Sequence, residues 1–219
     1  MTTFASIKSS VRSVIQLEGS TALTSTDGLV NLCVNEALFE RQRNHELTFN
    51  VTVSGALTVS TSTGIIALPS DFLSMTANRS NPVLWTDGTN VYPLVKSNDA
   101  EFDAYKYRTG GASQTGLPRV YNFRNGQITL FPIPTTTSTV TLTYIKKYDN
   151  LVNDGDTNDW TNNADVVLIN DAVARVLVIR ELPQLGAVYK GKADALVASL
   201  NNQYQMIDAT TGIYSETII

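Results

Sequence analysis

Residues 116–134, GLPRVYNFRNGQITLFPIP, constrain the fold more than any other stretch. Two short runs of alternating apolar and polar residues flank Asn125-Gly126. A type I′ turn needs positive φ at both central residues, which Asn and Gly tolerate best, so this stretch predicts a tight β-hairpin. One strand runs from Val120 or Tyr121 to Phe123, and the other carries Ile128, Leu130 and Phe131. Pro118 precedes the first strand, while Pro132 and Pro134 follow the second, because proline cannot donate within a sheet ladder. On either side of this centre the pattern turns helical. The expected fold is α+β: a bundle of about four helices from residues 1–47 and 161–208, an antiparallel β-rich domain inserted at residues 48–160, and an extended tail at residues 209–219.

A chain of 219 residues is long enough to bury a proper core as one large domain or a domain with an insert. Charged residues make up only 16%, against the usual quarter, and Thr, Ser and Asn take their place. Such a surface suits contact with other proteins. The net charge of −4 argues against broad nucleic-acid binding, which needs a basic face. Cys33 is the sole cysteine, so neither an intrachain disulfide nor a cysteine-based zinc cluster can form. The opening residues lack the apolar core of a signal peptide. Residues 166–179, the most apolar run, are interrupted by Asn170, Asp171 and Arg175 and are too short to span a bilayer. The expectation is a soluble protein.

Phe4, Ile7, Val11, Val14 and Ile15 recur at helical spacing behind Thr2 or Thr3 as N-cap. A second helix starts near Asp27 and runs to about Glu46, carrying Leu29, Leu32, Cys33, Leu38 and Phe39, with Arg41, Arg43 and His45 on a solvated face. From Phe49 to Leu68, Thr, Val and Ser predict two strands parted by Ser62-Thr63-Gly64. Pro69 then turns the chain into a single helical turn at Phe72-Leu73. Asp87-Gly88 predicts another hairpin, and Asn98 with Glu101 a capped helix over residues 99–108. Residues 139–148 alternate as a strand with one covered face. A buried helix is expected over residues 164–182, broken by Pro183, which starts the last helix with Leu185, Val188, Leu196, Leu200, Tyr204 and Ile207 on one face. In this scheme Leu32 and Leu168 are core positions, and the loop at residues 149–159 tolerates substitution.

No catalytic arrangement stands out, and neither cofactor nor metal is expected. Cys33 reads as a small core residue, and His45 has no second histidine for a relay or a metal site. Asp99 and Glu101 fit first-turn charge on a helix dipole. Tyr105, Lys106, Tyr107 and Arg108 mix aromatics with cations, yet helical neighbours diverge, so a plain surface reading is preferred over single-strand binding. Asp154, Asp156 and Asn158, with Asp165 beyond, match the ligand spacing of an EF-hand loop. Asp159 stands where that loop needs glycine, which favours a solvated turn ahead of Trp160.

Three segments together resemble the head–tail adaptor (neck, or connector) proteins of tailed bacteriophages. They are residues 67–73 (ALPSDFL), the hairpin with its GLPR lead-in and LFPIP exit, and residues 140–144 (VTLTY) followed by the Asn/Asp loop and two helices. The likeness covers roughly residues 60–207. It implies a structural virion protein with no enzymatic activity: a homo-oligomeric ring, twelvefold in the family, docked beneath the portal and joined to tail or nozzle proteins. It also implies that genomic DNA passes through the lumen without specific binding, and that the chain, made in the host cytoplasm, ends in the neck between capsid and tail. The acidic balance agrees, since phosphate–lysine contacts would slow DNA passage. An alternative of another class is a β-rich adhesin or glycan-binding module, with Trp85, Tyr92 and Tyr121 stacking on sugars. A third, a virion-borne hydrolase, lacks paired carboxylates in a suitable setting. The tail carries Ile213, Tyr214, Ile218 and Ile219, four large apolar residues that suit a partner interface better than a solvated end.

Overall fold

The computed structural model describes residues 1–17, 27–77, 81–108 and 114–211. Among them the fold is α+β, with six α-helices and two sheets. The helices are α1 (Phe4–Leu17), α2 (Asp27–Asn44), α3 (Asp99–Arg108), α4 (Asp159–Asn163), α5 (Asp165–Ile179) and α6 (Pro183–Thr211). The strands are β1 (Val51–Val53), β2 (Leu57–Thr58), β3 (Ile65–Ile66), β4 (Phe72–Met75), β5 (Val83–Thr86), β6 (Val91–Pro93), β7 (Val95–Lys96), β8 (Val120–Arg124), β9 (Gln127–Phe131) and β10 (Thr139–Lys146). The chain divides into a helical unit, Met1–Asn50 with Tyr148–Ile219, and a β-rich unit, Val51–Lys147.

In the helical unit α5 is the hub, packing against α1, α2, α4 and α6. Its core face carries Val167, Leu168, Ala172, Val173, Val176 and Leu177, all buried. Phe4, Ile7, Val11 and Ile15 of α1 meet this core at the predicted helical spacing. The first turn of α1 is satisfied from far along the chain: the amides of Phe4 and Ala5 donate to the carbonyls of Asp156 and Asp154, each at 3.0 Å. Thr3 Oγ1 accepts from the Ser6 amide, which makes Thr3 the N-cap. The loop at residues 149–159 is therefore a brace rather than a tolerant turn. Leu151 is buried in the core and exchanges two backbone hydrogen bonds with the Asn35 side chain, at 2.7 and 3.0 Å.

Helix α2 buries Cys33 and Leu38 as expected, but not Leu32 or Phe39. Val30, Cys33, Val34, Ala37 and Leu38 point inward together with Arg41 and Gln42, while Leu32 is 53% exposed and Phe39 lies beneath Arg43 at the surface. Leu32 is thus no core position; Leu168 is fully buried. Polar side chains are inside because they have partners: Gln42 Oε1 accepts from the Tyr148 amide at 2.8 Å, and Arg41 meets two carboxylates. Helix α5 ends in a Schellman motif, with Glu181 in the left-handed region (φ 63°), Glu181 N donating to Val178 O and Leu182 N to Leu177 O. Pro183 then opens α6, which turns Gly186, Tyr189, Ala193 and Val197 inward and leaves Val188 outside. The helix continues to Thr211, past the expected boundary at residue 208. The remaining residues of the expected extended tail lie outside the described residues.

The β-rich unit is organised on β10. It pairs antiparallel with β1, β2, β4 and β5, and β6 extends β5 in a six-stranded sheet. The predicted alternation holds, with Val140, Leu142 and Tyr144 buried. The second sheet runs β3-β9-β8-β7, antiparallel except for β7 beside β8. Its β8–β9 hairpin turns at Asn125 (φ 54°) and Gly126 (φ 71°), the positive pair that the sequence demanded. Phe72 and Leu73, expected in a helical turn, instead lie in β4, because β10 offers Ser74 and Met75 a paired ladder and Phe72 packs on Tyr144. The Phe49–Leu68 stretch yields three short strands, not two, since β1 and β2 meet β10 while β3 meets β9.

Candidate interaction surface on the helical unit

Three helices each contribute two charged residues spaced four apart: Glu36 and Glu40 from α2, Asp171 and Arg175 from α5, Lys190 and Asp194 from α6. Arg41 of α2 joins them. Such spacing places each pair on one face of its helix. Arg41 Nε donates to Asp171 Oδ2 at 2.5 Å and Nη2 to Asp194 Oδ1 at 2.7 Å, with the Arg41 and Asp171 side chains only 2% and 1% exposed. Lys190 Nζ reaches Asp171 at 3.1 Å and Glu40 at 3.0 Å. Arg175 bridges Glu36, at 3.3 Å, and Glu40. The result is a continuous seam of alternating charge.

This seam sets the local proton affinities. Burial pulls the Arg41 pKa down, but its hydrogen bonds to Asp171 and Asp194 more than offset that, and the net direction is up. The Lys190 hydrogen bond holds Glu40 below its usual value, against an opposing effect of burial. His45 is half-buried at the seam's end with Nε2 3.2 Å from Arg41, not on a solvated face; burial first and the guanidinium second push its pKa down. Burial, reinforced by Glu36, pushes the Cys33 thiol up to about 11, which leaves it an inert core group.

Beside the seam, α5 and α6 enclose a groove of about 480 Å³. Helix α5 lines it with Ala174, Arg175, Val178 and Ile179, α6 with Pro183, Gly186, Ala187 and Lys190, and Glu36 and Glu40 of α2 pair with its two cations. Val178 and Ile179 are each 55% exposed. The sequence left this surface unmarked as a site. Its one signal was the recurrence of charged residues four apart in three separate helices.

The other candidates resolve into structural roles. Asp156 accepts from the amides of Val152 and Asn153, Asp154 pairs with Lys8 at 2.6 Å, and Asp165 accepts from Thr2. Asn158 forms a capping box with Thr161 at α4. The EF-hand-like spacing is thus drawn apart, and among the described residues no group of three acidic, His or Cys side chains converges as a metal site. Asn98 caps α3 at 2.9 Å, and Asp99 accepts from Asn122. Lys106 lies over the Phe102 ring, and Tyr105 stands edge-on to Phe131, so these two pack rather than form a stacking platform. Tyr107 is exposed. Trp85 and Tyr121 are core residues rather than exposed stacking groups, and burial pushes the Tyr121 phenol up to about 12. Tyr92 packs on Trp85, with ring centroids 5.4 Å apart. That removes the sugar platform on which the glycan-binding alternative stood. Ile213, Tyr214, Ile218 and Ile219 lie outside the described residues.

Fold and surface define an α+β protein whose polar chemistry is committed to packing, with an amphipathic groove between α5 and α6 that α2 borders with Glu36 and Glu40. A model of the SU10 adaptor protein family matches residues 2–213, so the chain belongs to this family of phage structural adaptors. No curated protein matches the chain. Membership places the protein in the virion among other phage proteins such as portal and tail, in a family that is not typically enzymatic. Among the described residues no helix is long and apolar enough to cross a membrane.

Proposed function

We propose that this chain is a head–tail adaptor: copies of it, twelve in number, form a ring beneath the portal, join it to the tail or nozzle proteins in the neck, and let genomic DNA pass through the lumen. The observation that carries this reading is the family match over residues 2–213, which takes in both helical ends and the β-rich insert. In this reading the four long helices of residues 1–47 and 161–208 act as one bundle, residues 51–147 of the expected 48–160 form the inserted β domain, and the C-terminal segment holds a neighbour through Ile213, Tyr214, Ile218 and Ile219. The separation of Val51–Lys147 as its own compact unit supports such a division of labour. A net charge of −4 suits a conduit that DNA must traverse without being held. The chain is synthesised in the host cytoplasm and assembles on the portal.

The test is light scattering of the purified chain with and without portal protein. The expected result is a monomer or weak associate alone and a discrete ring on the portal. Absence of any portal-bound species would refute the adaptor reading.

A further inference from the structure

The α5–α6 groove is built rigidly. A Cβ added at Gly186 would stand 2.9 Å from the Ala174 carbonyl oxygen and 3.0 Å from Val178 Cγ2, so the two helices are already in contact at its floor. Half-exposed Val178 and Ile179 line it with Pro183 and Ala187, on the same helices as the paired cations Arg175 and Lys190. The segment GIYSETII, residues 212–219, suits the apolar part of this lining: it has three isoleucines and a tyrosine to set against Val178, Ile179, Pro183 and Ala187, and Glu216 is its one charged side chain. Its isoleucines and Thr217 are β-branched, which favours an extended chain that offers side chains to both helices at once.

Reach decides which copy's segment can sit there. Helix α6 is continuous from Pro183 to Thr211. At about 1.5 Å per residue, Thr211 lies roughly 37 Å along the axis from Gly186. Eight residues, fully extended, span at most about 26–29 Å. Residues 212–219 therefore fall short of Lys190, at the near end of their own groove, by roughly 3–5 Å and of Gly186 by roughly 10 Å, even when folded straight back along α6.

We propose that the groove between α5 and α6 seats residues 212–219 of a second copy of this chain. Such a contact is head-to-tail: groove and segment are different surfaces of the same protein, and repetition closes a ring where the rotation per copy allows it. The inference rests on the adaptor reading for its setting, but it specifies which surfaces join one copy to the next.

The experiment places a photoreactive benzophenone amino acid at position 214 of the full-length chain. This chain is mixed with isotopically heavy full-length chain, both at high concentration alone and in assembled particles. The expected product joins position 214 of one chain to residues 174–190 of another. The acceptor variant Val178→Lys with Ile179→Lys alters only half-exposed side chains, and its melting should match the parent. With that acceptor the cross-link yield should fall at least about tenfold. The donor variant Ile218→Ser with Ile219→Ser should do the same without touching the groove. Cross-links confined to the same chain, to portal or to tail protein would overturn the inference, as would an undiminished yield with a folded acceptor variant. The unmodified chain's presence in particles is scored separately. Its absence there would sink the adaptor reading, while the cross-link in the concentrated mixture would still decide the groove.

Discussion

Replacing Arg41 by methionine tests whether the charged seam is as dry as its geometry indicates. The substitution keeps most of the aliphatic stem and removes the guanidinium from Asp171, Asp194 and His45. Asp194 is half-exposed and regains water at little cost. Asp171, at 1% exposure, does not, and keeps only Lys190 at 3.1 Å. Stranding one member of a buried pair costs about 3–5 kcal/mol, and the surviving lysine bond places this case near the lower end, about 3 kcal/mol. Removing both members, Arg41→Met with Asp171→Leu, leaves no buried orphan charge. Lys190 retains Glu40 and some solvent. The double variant should therefore be more stable than Arg41→Met alone by roughly 2 kcal/mol.

The assay is urea unfolding followed by Trp160 fluorescence in a Trp85→Phe background. Trp160 is fully buried in the helical core, edge-on to Phe49 at 5.1 Å, so it reports on the unit that holds the seam. Midpoints should shift with the slope unchanged, which assigns the effect to stability rather than to a looser denatured state. Two results would refute the reasoning. A loss under about 1 kcal/mol for Arg41→Met would mean that water reaches Asp171 freely. Additive losses in the double variant would mean that the two groups do not act as a pair.

Two further outcomes follow from the same geometry. His45 has a folded pKa held below its ordinary 6.5, so the unfolded chain takes up the proton first; this stabilisation is complete above about pH 6.5 and is lost as pH falls through the folded value. Urea midpoints should fall more steeply from about pH 7.5 to about pH 5.5 in the parent than in His45→Gln, and parallel profiles would exclude the coupling. In the β-rich unit Gly64 sits at φ +70°, and an added Cβ would stand 2.6 Å from the Leu130 carbonyl oxygen, backbone that cannot swing aside. Gly64→Ala should destabilise the protein by at least about 2 kcal/mol, read from Trp85 fluorescence on unfolding, and an unmoved midpoint would contradict it.

Elements governed by local chemistry were legible from the sequence. Asn125-Gly126 demands its turn whatever surrounds it, Asp87-Gly88 turns β5 into β6, and Pro183 starts α6 because its missing N–H has no partner to lose there. Elements governed by distant partners were not. Phe72 and Leu73 have no local reason to be extended; the ladder that makes them so is on β10, far along the chain. Helix α2 misled for a related reason. Its inward stripe, Val30, Cys33, Val34, Ala37 and Leu38, has helical spacing but runs on into Arg41 and Gln42, while the large apolar Leu32 and Phe39 face out. Only Asp171, Asp194 and the Tyr148 amide make that burial affordable, and none of them is near α2 in sequence. The groove was hidden likewise, since its walls come from three separate helices.

The seam's spacing has a consequence for how that groove is held. A one-turn slide of α6 along α5 moves residues by about four positions, or 5.4 Å. In one direction Asp194 would take the place of Lys190, facing Asp171 and Glu40 with like charge on both sides. In the other, Gly186 would arrive there, leaving Asp171 with Arg41 alone and Glu40 with Arg175 alone. A one-turn slide of α5 would bring Arg175 to the position of Asp171, against Arg41. The close approach at Gly186 resists a slide of α6, because Leu182 or Lys190 would bring a Cβ against the Ala174 carbonyl. The charges resist it as well, since each slip sets like charges together or removes a cation from a carboxylate. Only 36 side chains of this sparsely charged sequence carry charge, 16 basic and 20 acidic, and seven of them lie in the seam. Their value lies less in net stability than in fixing one register of α2, α5 and α6, and with it the placement of Val178 and Ile179 beside Pro183 and Ala187 along the groove.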